Sequence, residues 1–240
     1  MKKTNKTRIL IKISGSSLQN HQSVDAFSLD KLINLCKQIK TLSTKYEIGI
    51  VVGGGNIWRG RISKDMNMDQ RRSDYIGMLS TIINASLIDT QLNALNVKSC
   101  VLSAIPCPHL TDLITPTNID QAFENNKIVI FAGGIGSPFF TTDTGAALRA
   151  IEIGAKIILV GKDGVDGVYD SDPKKNSKAK FYPTLTFEQA ISEKLSIMDL
   201  TSFTMCQEND IKLIVFNIEK PNALVNAING KIKCSVVSTK

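Results

Sequence analysis

Short apolar runs rich in β-branched residues, each stopped by glycine or a polar turn and followed by an amphipathic helical stretch, recur almost from end to end of the chain. That alternation selects an α/β fold with a mainly parallel central sheet, because parallel strands need long crossovers and lie buried on both faces. The strand candidates are Arg8 to Ser14, Glu47 to Val52, Val97 to Ser103, Lys127 to Ala132, Lys156 to Val160 and Lys212 to Phe216. Leu29, Leu32, Ile33, Cys36, Ile39 and Leu42 follow the spacing of a one-faced helix, and Asp69 to Leu95 is a second, longer helical pattern. Pro221 is placed to open a helix over Asn222 to Ile228, which Gly230 stops before a last strand, Lys231 to Val237. The polar stretch Asp170 to Lys180 marks a soft boundary, so we expect one domain over residues 1–240 with lobes at 1–160 and 161–240.

Composition removes several classes of chemistry. Five scattered cysteines without a C-x-x-C pair, and only His21 and His109 besides, argue against a zinc site, a disulfide framework or a histidine-based triad. Both histidines read as surface or loop residues. Chemistry must then rest on Lys, Arg, Asp and backbone amides. No apolar run approaches the roughly 20 residues of a bilayer span. The basic start Met1-Lys2-Lys3-Thr4-Asn5-Lys6 precedes an apolar stretch that is too short for a signal peptide and carries Lys12, so a cytoplasmic protein is expected. A net charge of +7 suits a polyanionic partner: nucleic acid, an anionic surface or a phosphorylated small molecule.

Three glycine-rich turns follow strands: Ser14-Gly15-Ser16-Ser17, Gly53-Gly54-Gly55-Asn56 and Gly133-Gly134-Ile135-Gly136-Ser137. In an open parallel sheet such turns gather at the carboxyl edge, where backbone N–H groups can approach an anion. One such loop reads as a plain tight turn; three on one edge read as a phosphate site. Neither common nucleotide fingerprint is present, since Gly161-Lys162 is followed by Asp163 and Gly134 and Gly136 lack a third glycine in step. Lys12 interrupts the apolar run Ile9-Leu10-Ile11-Lys12-Ile13. It is either an edge-strand lysine facing solvent or a cation aimed at a transferring phosphoryl group.

With these residues in view, the chain resembles the amino acid kinase family and, within it, the bacterial UMP kinases. The family-level markers are Leu10-Ile11-Lys12-Ile13-Ser14-Gly15, the Gly53 turn, and Asp166-Gly167-Val168-Tyr169 followed by Asp172-Pro173. The subgroup markers are Gly55-Asn56-Ile57-Trp58-Arg59-Gly60, Asp74 to Leu79, Pro138 to Asp143, Ile197 to Phe203 and Val215-Phe216-Asn217. The resemblance implies a three-layer α/β sandwich that transfers the ATP γ-phosphoryl group to UMP in pyrimidine nucleotide synthesis, with Mg2+ carried by ATP and no metal held by the protein itself. It places ATP against Lys12, Ile13, Ser14, Gly15, Gly55, Arg59, Asp163, Tyr169 and Asp172. It places UMP against Gly54, Asp74, Ile135, Gly136, Ser137, Pro138, Phe139, Phe140, Thr141 and Thr142. The acceptor belongs to the 1–160 lobe and ATP to the 161–240 lobe.

Lys12, Asp143 and Asp199 become the implied catalytic set, although each aspartate can equally be a helix N-cap. A homohexamer built as a trimer of dimers is also implied, with the long helix as a dimer surface, and UTP as an inhibitor. Two departures stand out: Ser16 occupies a position where relatives carry glutamate, and Asn20 to Asp25 lacks the glycines of the usual GTP effector loop. Asp163 is an acid at an ATP contact that is usually uncharged. The rival readings are a sister kinase with a carboxylate or carbamate acceptor, and a non-catalytic nucleotide-sensing or nucleic-acid-binding protein. The second is favoured by charge alone, because no Arg/aromatic stripe or helix-turn-helix pattern is present, and no nucleic-acid or membrane partner is expected.

Overall fold

The computed structural model describes residues 6–19, 25–195 and 197–239. The expectations about Met1 to Asn5 of the basic start, His21 and the Asn20–Val24 part of the effector loop lie outside the described residues. The chain runs β1 (Thr7–Ile13), a single 3-10 turn (Gly15–Leu18), α1 (Leu29–Ser43), β2 (Tyr46–Val52), α2 (Gly60–Asp65), α3 (Gln70–Ala94) and β3 (Ser99–Ser103). It continues through β4 (Asp112–Leu113), α4 (Pro116–Glu124), β5 (Ile128–Ala132), α5 (Thr142–Glu152), β6 (Ile157–Lys162), β7 (Val168–Tyr169), β8 (Phe181–Tyr182) and β9 (Thr184–Thr186). The last elements are α6 (Phe187–Ser192), α7 (Leu200–Glu208), β10 (Lys212–Asn217), α8 (Ala223–Ile228) and β11 (Cys234–Ser238).

Nine strands form one sheet in the order β4-β3-β5-β2-β1-β6-β10-β11-β9, parallel except where β11 runs against β10. The small hairpin of β7 and β8 stands apart and carries the polar stretch Asp170 to Lys180 in its loop. Strand alternation divides the core between the two faces. Ile9, Ile11 and Ile13 of β1 join α1, α3 and α8 on one side. Leu10 joins α4, α5, α6 and α7 on the other. The three layers expected from the sequence follow from this division.

Each predicted strand falls on an observed one within a few residues, except that the last starts at Cys234, three residues later than expected. The long pattern is α3, entered through Asp69, whose carboxylate accepts from the N–H groups of Arg71 and Arg72. Pro221 does not open α8: Asn222, left-handed at φ 52°, stands between it and Ala223, so the helix starts from an asparagine turn. Among the described residues no helix is long and apolar enough to cross a membrane.

Candidate active site

The site begins with the turns that end β1, β2 and β5 at the sheet's carboxyl edge. The Gly53 N–H donates to the Ile13 carbonyl at 2.9 Å, so the first two turns touch backbone to backbone. A Cβ on Gly15 would stand 2.7 Å from both the Gly53 oxygen and the Gly55 nitrogen, a separation real side chains do not reach. Glycine is required there for close approach. Fully buried Asn84 on α3 fastens the second turn: its amide donates to the Gly53 carbonyl at 2.6 Å and to Asn56 Oδ1 at 2.8 Å. The third turn is entered at Gly133, whose N–H donates to Thr81 Oγ1 at 2.8 Å, and Gly133, Gly134 and Gly136 all have positive φ.

Strand β1 lies between β2 and β6, so the edge-strand reading of Lys12 is wrong; the residue is 8% exposed on a central strand. Lys12 shares the face of Leu10, which α5 covers, and its ammonium meets Asp143 Oδ1 at 2.7 Å. The N-cap reading of Asp143 is corrected by the same helix. Thr141 is the cap and accepts from the Asp143 and Thr144 N–H groups, leaving the Asp143 carboxylate free for Lys12. Asp199 does cap its helix, accepting from the Ser202 N–H at 2.8 Å. It also accepts from the Thr141 hydroxyl, and from that of Thr144 at 2.9 Å, and so ties α7 to the first turn of α5. Burial pushes the Asp199 carboxyl up, but hydrogen bonds from Thr141, Ser202 and Thr144 outweigh it and hold the group below the usual carboxylate range.

A second lysine belongs to this cluster. Lys162 ends β6 on the same face as Val160, the residue paired in register with Lys12, and donates to the Ile197 carbonyl. Burial pulls its ammonium down from the ordinary lysine value, as does repulsion from Lys12, with Asp143 and Asp163 opposing both. Asp163 accepts from the hydroxyl of Ser17 at 2.6 Å and from that of Ser16. A carboxylate thus reaches position 16 from the end of the neighbouring strand β6.

Two cavities flank this cluster. One, of about 550 Å³, is lined by Gly54, Asp74, Ile135, Ser137, Phe140, Thr141 and Thr142, together with Trp58 and Thr81. Gly55, Arg59 and Ser14, expected on the ATP side, also line it, because the turn after β2 lies between those after β1 and β5. The other, of about 380 Å³, is lined by Lys162, Tyr169 and Asp172. Gly136, Pro138 and Phe139 do not face the first cavity. Phe139 is 70% exposed at φ 71°, with its N–H donating to Asp74 Oδ2 at 2.8 Å while Gln70 donates to Oδ1 at 2.7 Å.

A profile of the amino acid kinase family matches residues 7–217. The chain belongs to that family. Among its amino acid kinase relatives, the uridylate kinase of Ureaplasma parvum is 50% identical over 234 residues, covering 97% of this chain and 99% of the relative. The uridylate kinase of Mycoplasmoides gallisepticum is 46% identical over 228 residues, covering 95% and 97%. The crystal structure of UMP kinase from U. parvum superposes with a TM-score of 0.94 at 49% identity, covering 98% of this chain and all of that one. The UMP kinase structure from Bacillus anthracis gives 0.91 at 32% identity, covering 98% and 96%.

Within this amino acid kinase fold, sequence reasoning gave no role to Lys162, Asn84, Thr81 or Trp58, the last named only as part of a subgroup marker. Lys162 carried a weaker signal than Lys12, since Gly161 sets it off from the apolar run and Asp163 follows it. Asn84 and Thr81 had no local signal, since their importance lies in contacts across the fold.

Proposed function

We propose that this chain is a UMP kinase, transferring the γ-phosphoryl group of MgATP to UMP to give ADP and UDP in pyrimidine nucleotide synthesis. The observation that carries the reading is near-full-length similarity to uridylate kinases in a chain whose paired cavities flank the Lys12–Asp143 ion pair. ATP occupies the cavity of Tyr169 and Asp172, with its phosphates on the Ser14-Gly15 amides, and UMP occupies the cavity of Asp74 and Thr142. Asp74 accepts from the ribose hydroxyls, sharing oxygens now used by Gln70 and the Phe139 N–H. Thr141 and Thr142 offer hydroxyls to the acceptor phosphate or uracil edge.

Lys12 and Lys162 offset charge on the equatorial oxygens while Asp143 holds Lys12 in place, so catalysis is by positioning and electrostatics. Asp143, Asp163 and Asp199 are each engaged by protein groups, a donor set that fits magnesium arriving on the nucleotide. Bound there, magnesium neutralises phosphate charge. The acceptor lobe is 1–160 and the ATP lobe 161–240. Exposed Tyr75, Leu79 and Ile83 recur at every fourth position of α3, a stripe that suits a dimer surface within a cytoplasmic hexamer. UTP inhibits at the acceptor cavity.

An ATP-dependent transfer assay across UMP, CMP, dUMP, AMP, aspartate, glutamate, acetylglutamate and carbamate tests the reading. UMP is expected to dominate, and Asp74→Asn to raise the KM for UMP far more than that for ATP. Transfer to an amino acid or carbamate moves the chain to a sister kinase, and binding of ATP without any transfer restores the sensor reading.

A further inference from the structure

The guanidinium of Arg149 is buried beneath the acceptor turn and is not used by the chemistry above. Arg149 is 5% exposed on α5, one turn after buried Ala146 and next to buried Ala150. A cation in such a place is costly unless its charge and its donors are met. Charge is met by Glu152, a third exposed, at 2.5 Å from one terminal nitrogen. The donors are not: the other terminal nitrogen stands a long 3.5 Å from the Gly134 carbonyl, and Nε has no partner. Arginine carries five N–H donors, so the side chain holds several in reserve.

The terminal nitrogen on the Gly134 carbonyl is the one that meets the acceptor turn. On that side Arg149 lines, together with Gly134, Thr81, Thr142 and Gly145, a void of about 10 Å³. The void is at the lower limit for a single water. The turn above has little rigidity of its own. Gly133, Gly134 and Gly136 are all left-handed, and the segment is held from below by Thr81 at Gly133 and from within by one Gly136-to-Gly133 bond of 3.1 Å. Gly134 has Arg149 as its support on the α5 side.

We infer that Arg149 is a positioning residue for the acceptor: it sets the Gly133–Gly136 turn through the Gly134 carbonyl and lays a positive charge behind the cavity that receives a nucleoside monophosphate. The inference rests on reading that cavity as the acceptor site. Arg149→Met is expected to raise the KM for UMP about tenfold with the KM for ATP within about twofold, the pattern of a lost binding contribution on one substrate only. Arg149→Lys, which keeps the charge without the planar fork, should recover part of the loss, to about threefold. Glu152→Gln, made at the more exposed partner, keeps the test open if Arg149→Met does not fold, and should raise the KM for UMP about threefold. A KM for UMP unchanged in folded Arg149→Lys and Glu152→Gln, or equal rises for both substrates, overturns the inference. Asp74→Asn run alongside separates the two levels. If it raises the KM for UMP and the Arg149 and Glu152 variants do not, only the role of Arg149 falls; if none of them moves it, the acceptor reading falls as well.

Discussion

Removing Lys12 has two effects that a double-mutant cycle separates. Its ammonium and Asp143 Oδ1 are 2.7 Å apart with side chains only 10% and 19% exposed, so neither charge is well hydrated. Deleting one partner of a buried pair costs about 3–5 kcal/mol because the other is left uncompensated. Here Lys162 stands on the same side and takes up part of the Asp143 charge, so Lys12→Met is expected to cost about 2–3 kcal/mol, or roughly 4–12 °C in Tm for a chain of this size. Asp143→Asn leaves two lysines facing one another and should cost at least as much. The double variant removes both charges and should return to within about 1 kcal/mol of the parent, because a neutral pair of similar shape needs no desolvation. Turnover should not return. All three variants are expected to fall by about 10²-fold or more, the scale of losing a preorganised charge at the transferring group. Thermal unfolding and initial rates on the same four proteins decide it. A double variant that regains activity within about threefold of the parent would refute the phosphoryl-clamp role and leave Lys12 a structural partner of Asp143.

Gly15→Ala is expected to force the first two turns apart, since its methyl would meet backbone atoms at 2.7 Å. A loss of about 1–3 kcal/mol with a raised KM for ATP should appear in thermal unfolding and ATP titration, and an unchanged Tm would show that the turns do not touch as described. Asp199 gives a pH signature. Its carboxyl is held below the ordinary value of 3.8, so its contribution to stability is present above that pH and is lost as pH falls through the depressed value. Asp199→Asn should therefore be less stable at neutral pH, with the gap to the parent closing below about pH 4; parallel Tm curves down to about pH 3 would contradict the hydrogen bonds assigned to it.

What could be read from the chain followed local period and composition. The strands β1, β2, β3, β5, β6 and β10 are long enough to show an apolar run. Strands β4, β7, β8 and β9 have two or three residues each, too few for any alternation to register. Lys12 was legible because a charge inside an apolar run is anomalous wherever it occurs. Asp143 was legible as an acid near a helix start but not as the free one, because Thr141, two residues earlier, competes for the same capping role. Asn84 and Arg149 were illegible. Each sits in an ordinary helical stretch, and only the packing of α3 and α5 on opposite faces of the sheet, each beneath a glycine turn, gives their polar groups work. The length of α3 was visible, but not its faces, since it buries Ser73, Ser80 and Asn84 while exposing Tyr75, Leu79 and Ile83.

The last strand imposes an order on assembly. Strand β9 touches the sheet only through β11, and β11 comes some fifty residues after it in the chain. Ser235 on β11 also takes the Val168 N–H at 2.8 Å and donates to the Tyr182 carbonyl, fastening both strands of the hairpin beside the cavity of Tyr169 and Asp172. A chain growing from its N-terminus can therefore lay β1, β2 and β5 side by side, with their three glycine turns, while the hairpin still lacks its anchor. The hairpin beside the cavity of Tyr169 and Asp172 gains this anchor only when residues 234–238 arrive, so in a chain folding as it is made the two cavities are completed at different times.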